Sequence, residues 1–333
     1  MTSPARSEAG PPLPPDATVG RVHLTVADLD RALAFYREAL GWRVVAGEVP
    51  VPVHAAAGAG RGRTVGLSAS GEPPAALVLT EQPGARPQPA RTSGLYHVAF
   101  LHPDRATLAR LLRRLLELEV PLEGASDHLV SEAIYLADPD GHGIEVYADR
   151  PRDRWPRRDG QLQIDTLPLD LADLLAQAPP DAPWTGAHPA ARIGHIHLRT
   201  ADIAAAAAFY RDLLGFEEVA WYGPRALFLA AGGYHHHIGL NTWAGVGVPP
   251  PPPDSVRLVA WAVALPRREA LRALAQRVLA AAPERVLGAY DAGSEVGLRL
   301  RGPDEVEVDL IAPVPLSPRP LQPLDPEEVV RLT

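Results

Sequence analysis

Val19-Gly-Arg-Val-His-Leu-Thr-Val-Ala-Asp28, running on through Phe35-Tyr36-Arg37 to Leu40-Gly41, recurs as Ile193-Gly-His-Ile-His-Leu-Arg-Thr-Ala-Asp202, running on through Phe209-Tyr210-Arg211 to Leu214-Gly215. The first half of each copy alternates with the period of an extended strand. Val22, Leu24 and Val26 fall on one face, while Arg21, His23 and Thr25 fall on the other. The second half changes period. Leu29, Leu33, Tyr36 and Leu40 recur at helical spacing, and Gly41 stands where a helix C-cap takes a left-handed residue. The apolar strand face must lie under that helix, which leaves the polar face over a concavity where chemistry can be done.

A fainter pair of copies is present. His97-Val-Ala-Phe100, followed by Pro103, Arg105, Leu108 and Leu111, matches Ala260-Trp-Ala-Val263, followed by Pro266, Arg268, Leu271 and Leu274. Further short apolar runs follow each copy, at Ala76–Leu79, Ile134–Ala137 with Ile144–Tyr147, Ala226–Leu229 with His237–Leu240, and Gly297–Leu300 with Val306–Leu310. The chain thus reads as an α+β protein with four βαβββ units, at 19–82, 93–149, 191–248 and 255–315. A unit of this kind cannot close a sheet alone, so units are expected to pair edge to edge. Residues 1–18 read as a disordered tail and 316–333 as a C-terminal tail. Residues 150–190 read as a linker, too long for a tight connection, with a helix at Leu169–Ala176.

Composition removes several classes of function. The 333 residues are 46% hydrophobic, enough for two ordinary domains. No apolar run approaches the roughly 20 residues of a membrane helix. The Pro- and Ala-rich start, with its acidic residues, is unlike a signal peptide, so a cytoplasmic protein is expected. With no cysteine, a metal could be held only by His, Asp or Glu. A formal charge of −8 without a basic block argues against nucleic acid. The proline clusters 11–15, 83–89 and 249–253 fall between the periodic segments.

One stretch carries chemistry. Ser126-Asp127-His128, then Ile134-Tyr135, Asp138-Pro139-Asp140-Gly141 and Glu145, places a carboxylate on a strand after a Pro/Gly turn. The order and spacing resemble the signature of extradiol ring-cleaving dioxygenases of the vicinal oxygen chelate superfamily, with Ser126 as a departure. The fourfold repeat also resembles this superfamily, which includes glyoxalases and bleomycin-resistance proteins and pairs its modules into half-open barrels. Gly124–Ala133 and Gly232–Gly245 are similar to segments of its bacterial catechol-2,3-dioxygenase-like subgroup.

The resemblance implies a site. In the superfamily a first-strand ligand lies seven residues before the Asp that opens the helix, and a last-strand carboxylate completes the set. Here that position is Arg21, His97, His195 and Ala260 in the four units. Arginine is no metal ligand and alanine offers nothing, so the resemblance implies that the second and third units share a cup in which His97, His195 and Glu145 hold Fe(II), with Mn(II) as the other candidate. It further implies His236 as acid/base, His128 and Tyr135 as hydrogen-bonding partners of the substrate oxygens, and an aromatic vicinal diol and O₂ as substrates. His23 with His97 and Glu145 is the competing triad, should sequential units pair. A homo-oligomer, with the cup built across a dimer, is a further arrangement to test. The other readings are a glyoxalase-type isomerase or lyase, which calls for two acidic ligands, and a non-catalytic small-molecule-binding protein of the same fold.

The remaining polar residues have plainer expectations. His23 and His197 occupy matching positions and read as cup-wall residues. His54, His102, His142 and His188 read as solvated loop residues, and Glu307 as a surface carboxylate in the place of Glu145.

Overall fold

The computed structural model describes residues 10–46, 62–179, 183–314 and 322–332. His54 lies outside them, as do residues 1–9, 316–321 and 333 of the two tails. The first unit runs β1 (Thr18–Val26), α1 (Leu29–Glu38), β2 (Arg43–Val44), β3 (Thr64–Ser68) and β4 (Leu77–Glu81). The second runs β5 (Gly94–His102), α2 (Arg105–Glu117), β6 (Leu122–Asp127), β7 (Ser131–Ala137) and β8 (Gly143–Asp149). Between the second and third units come the ribbon β9 (Arg157–Arg158) and β10 (Gln161–Leu162), then β11 (Leu167–Pro168) and α3 (Leu171–Leu175). The third unit runs β12 (Arg192–Arg199), α4 (Ile203–Ala207), β13 (Glu217–Trp221), β14 (Ala226–Ala230) and β15 (Ile238–Asn241). The fourth runs β16 (Leu258–Ala264), α5 (Arg268–Ala281), β17 (Val286–Asp291), β18 (Glu295–Arg301) and β19 (Glu307–Pro313), followed by β20 (Gln322–Leu324) and α6 (Pro326–Leu332).

The aspartate after each first strand is a helix cap. Asp28, Asp104 and Asp202 accept backbone N–H groups of their helices through their side chains, satisfying donors the helix leaves orphaned. The fourth unit has Arg267 in that place, with no side-chain cap bond.

Two curled nine-stranded sheets result. One has the order β2-β3-β4-β1-β16-β19-β18-β17-β20, and the other β11-β6-β7-β8-β5-β12-β15-β14-β13. First strands meet antiparallel at each centre, β1 with β16 and β5 with β12. The first unit therefore shares a sheet with the fourth, and the second with the third, within one chain.

The Asp-Pro-Asp-Gly turn of the second unit ties the two sheets together. Asp138 accepts the backbone N–H groups of Asp140 and His142, each at 2.9 Å, and the Tyr36 hydroxyl at 3.1 Å. Asp140 accepts the Ala27 N–H at 3.0 Å and pairs with Arg31, while His142 Nε2 donates to the Thr25 carbonyl at 2.8 Å. His142 is thus buried between sheets rather than solvated. His102, the last residue of β5, is only 2% exposed; the strand runs farther than its sequence pattern suggested. His188 is exposed as expected.

The tails differ from expectation where they are described. Leu13 and Ala17 are buried, and Leu13 N–H bonds the Gly215 carbonyl at 2.9 Å. β20 extends the sheet beside β17, and Val329 of α6 is wholly buried. A few apolar residues among prolines have no periodicity of their own, and they are ordered by the edge they cover. The 150–190 segment carries its helix, pairs β11 onto β6, and reaches the first unit through Ala187 N–H to the Gly41 carbonyl. No helix among the described residues is long and apolar enough to cross a membrane.

Candidate metal centre

Strand register assembles the site. Tyr135 stands opposite Glu145, Glu145 opposite Ala99, and Ala99 opposite His195, one row across β7, β8, β5 and β12. Side chains in such a row share a face, and the small Ala99 leaves room between its neighbours. His97 lies two residues from Ala99 on the same face, opposite His197. His197 in turn lies over Gly239 of β15, where an added Cβ would come within 2.7 Å of its ring.

Three ligand atoms converge. His97, Glu145 and His195 each offer one atom within 4.8 Å of the others, and all three residues are buried. Glu145 Oε2 lies 3.0 Å from His97 Nε2 and 3.1 Å from His195 Nε2. The His97 nitrogen is close to the carboxylate yet not aligned for a hydrogen bond, and is left with no other partner. A buried polar atom without a partner is costly, and one aimed at a shared point with a carboxylate and a second imidazole fits a divalent cation. Two imidazoles and one carboxylate on one face form the set that leaves open positions on iron or its neighbours.

Electrostatics agree with that fit. Burial alone would raise the Glu145 carboxyl, but His195 and His97 beside it hold it well below the usual carboxylate range. Burial pushes His195 down to about 4 despite the pull of Glu145. Glu145 is thus held as a carboxylate and His195 as a neutral imidazole, the states in which these groups bind metal.

The other expected residues border the same cavity of about 530 Å³, which His97 and Glu145 also line. His128 Nδ1 donates to the Asp165 carbonyl at 2.7 Å, so its Nε2 accepts from the Tyr135 hydroxyl at 2.6 Å. His236 packs 4.1 Å from the His195 ring and opens on the cavity. Behind it lies a pair that sequence reasoning left without a role. His235 Nε2 donates to Asp149 Oδ1 at 2.9 Å, and His235 Nδ1 meets His236 Nδ1 at 2.8 Å. A carboxylate can only accept, so the proton on His235 faces Asp149, the His236 Nδ1–H donates to His235, and His236 Nε2 is left as an acceptor. Asp149 carried no signal in the sequence beyond its place at the end of β8.

His23 is not in this cup. It is buried in the other sheet, where its Nε2 lies 2.8 Å from the Thr80 hydroxyl. That sheet repeats the same rows with other residues. Arg299 stands opposite Asp309, and Asp309 opposite Ala262, so Asp309 rather than Glu307 is the counterpart of Glu145. Arg21 takes the place of His195. Its guanidinium bonds Glu295 at 2.8 Å, Tyr290 at 3.0 Å and Asp309 at 3.4 Å, while Arg299 grips Asp309 with two bonds at 2.7 and 2.6 Å. Where one cup gathers ligands for a cation, the other carries covalently attached cations of its own. Glu307, expected at the surface, is partly buried and pairs with Arg299 at 2.8 Å.

The family model described as Glyoxalase/Bleomycin resistance protein/Dioxygenase superfamily matches residues 18–146 and 192–309. The chain belongs to this superfamily. A catechol-2,3-dioxygenase of Bacillus subtilis strain 168 is 44% identical over 266 residues, covering 79% of this chain and 88% of that protein. Among solved structures, one from Bacillus subtilis subsp. subtilis strain 168 aligns with a TM-score of 0.59 at 16% identity, covering 90% of this chain and 86% of that one. Glyoxalase I of Zea mays aligns with a TM-score of 0.54 at 16% identity, covering 89% and 92%. At those identities the structures speak for the superfamily fold alone.

Proposed function

We propose that the protein is an extradiol ring-cleaving dioxygenase that holds Fe(II) through His97, His195 and Glu145 and opens a catechol-type vicinal diol with O₂. The observation that carries this reading is the convergence of those three atoms, one of them an unpartnered imidazole nitrogen, beside a cavity bordered by His128, Tyr135 and His236. The 44% identity to a catechol-2,3-dioxygenase supports it. Among the described residues the cluster contains one carboxylate, where the isomerase reading asks for two.

Fe(II) held by His97, His195 and Glu145 would supply the redox chemistry that lets a vicinal diol react with O₂. The chain's own groups handle protons. Tyr135 can take up a substrate hydroxyl proton as its own passes to His128 Nε2, whose opposite nitrogen is anchored on the Asp165 carbonyl. His236, with Nε2 bare, is set to accept a proton on the opposite side. Ala99 keeps the floor open, and Glu145 limits the net charge of the site so that an ionised diol can enter. The product is a ring opened beside the two oxygens, both atoms of O₂ retained, of the hydroxymuconic semialdehyde type.

The test is anaerobic loading with Fe(II), followed by O₂ uptake and product spectra over a panel of catechols, with Glu145→Gln as the control. One equivalent of metal and one O₂ consumed per diol opened are expected. A protein that binds iron stoichiometrically yet consumes no O₂ with any diol would rule the reaction out.

A further inference from the structure

The strand that supplies His195 carries two more polar side chains on the same face, His197 and Arg199, at the spacing of a strand. Arg199 lines the cavity and is half-buried, and it is the only Arg or Lys among the described residues of that wall. Its guanidinium carbon lies 5.5 Å from the centroid of the Tyr96 ring. Among the described residues no carboxylate pairs with it. Burial pushes its pKa down, against the pull of Tyr96. It is a cation that has lost water and received no anion in return.

What lies between Arg199 and the ligands is aromatic. Arg199 lies four positions beyond His195, about 13 Å along β12. Over that span the Tyr96 and Trp243 rings are 5.1 Å apart, and His197 lies 5.1 Å from the first and 5.4 Å from the second. Such a wall accepts a flat ring or a short carbon chain, and it ends at a guanidinium. Glu123 and Asp165 also border the cavity, but both are exposed at its rim and neither is bonded to Arg199.

We propose that Arg199 receives an anionic substituent, so that the substrates are aromatic vicinal diols bearing a carboxylate on a short carbon chain remote from the hydroxyls. The planar guanidinium fork matches a carboxylate with two parallel bonds. This inference rests on the dioxygenase reading above, whose active cavity it uses.

The experiment separates the two. Calorimetry on anaerobic, Mn(II)-loaded protein compares a catechol with a para carboxyethyl chain against its uncharged primary amide. The acid should bind at least about tenfold more tightly than the amide, and Arg199→Gln should bring the ratio close to one while Arg199→Lys keeps part of it. Equal affinities in the wild type, a ratio unchanged by Arg199→Gln, or no binding of either compound would overturn the inference. O₂ uptake by the Fe(II)-loaded protein on unsubstituted catechol and on both derivatives forms the second arm. Cleavage of all three at equal kcat/KM would leave the dioxygenase standing without the carboxylate preference, whereas a calorimetric preference without any cleavage would leave Arg199 standing and remove the dioxygenase.

Discussion

Replacing Arg21 by methionine should cost the protein about 3–5 kcal/mol of stability, the usual penalty for breaking a buried ion pair. The figure follows from what the guanidinium leaves behind. Arg21 is 6% exposed and bonds Glu295 at 2.8 Å, Tyr290 at 3.0 Å and Asp309 at 3.4 Å. Asp309 keeps both bonds from Arg299 after the truncation, so its loss is small. Glu295 keeps only the Tyr290 hydroxyl, at 3.4 Å, and becomes a buried carboxylate without a counter-charge. Removing that charge as well should restore much of the loss, so Arg21→Met with Glu295→Gln should be more stable than Arg21→Met alone by about 1–3 kcal/mol. Urea unfolding at pH 7, followed in low and high salt, measures both, and the effect should persist in high salt because the pair is shielded from ions. The proposed metal site lies in the other sheet, so metal binding should survive in both variants. A cost below about 1 kcal/mol for Arg21→Met, or a double variant no better than the single one, would refute the view that this guanidinium stands in for a bound cation.

Four further outcomes are expected. Glu145→Gln, His97→Ala and His195→Ala should each purify with little metal, whereas His236→Phe should keep it and lose turnover, as metal analysis beside O₂ uptake would reveal. Asp149→Asn should retain metal and slow turnover by about 10- to 100-fold, because the tautomer of His235 that accepts from His236 is no longer enforced; unchanged kcat would count against the relay. Burial holds His23 near pH 3 and His102 near pH 4, below the ordinary 6.5. Above pH 6.5 both are neutral folded and unfolded; below it the unfolded chain takes up protons that the folded chain refuses. Stability should then fall with falling pH by about 1.4 kcal/mol per unit for each histidine until the folded pKa is passed. His102→Gln should flatten part of that slope in urea unfolding. Tyr36→Phe should cost about 1–2 kcal/mol by leaving an Asp138 oxygen without its donor, and differential scanning calorimetry would register it.

The repeat was legible because its causes are local. Period-two alternation at Val22, Leu24 and Val26, a capping aspartate, helical spacing and a C-cap glycine all act within about 20 residues, so each unit announces itself. Arg21 and Ala260 at the ligand positions also made the partnership of the second and third units readable. The tertiary structure decided what depends on register between distant strands. Glu307 and Asp309 are both acidic and two residues apart, and only the pairing of Asp309 with Ala262 selects the counterpart of Glu145. His142 looked solvated because nothing nearby in sequence says that the first unit will close over its turn. Asp149 and His235 are 86 residues apart, and β20 is three residues long. No periodicity can mark either, since a hydrogen bond across a fold and an edge strand borrowed from a neighbour exist only once the chain has brought their partners together.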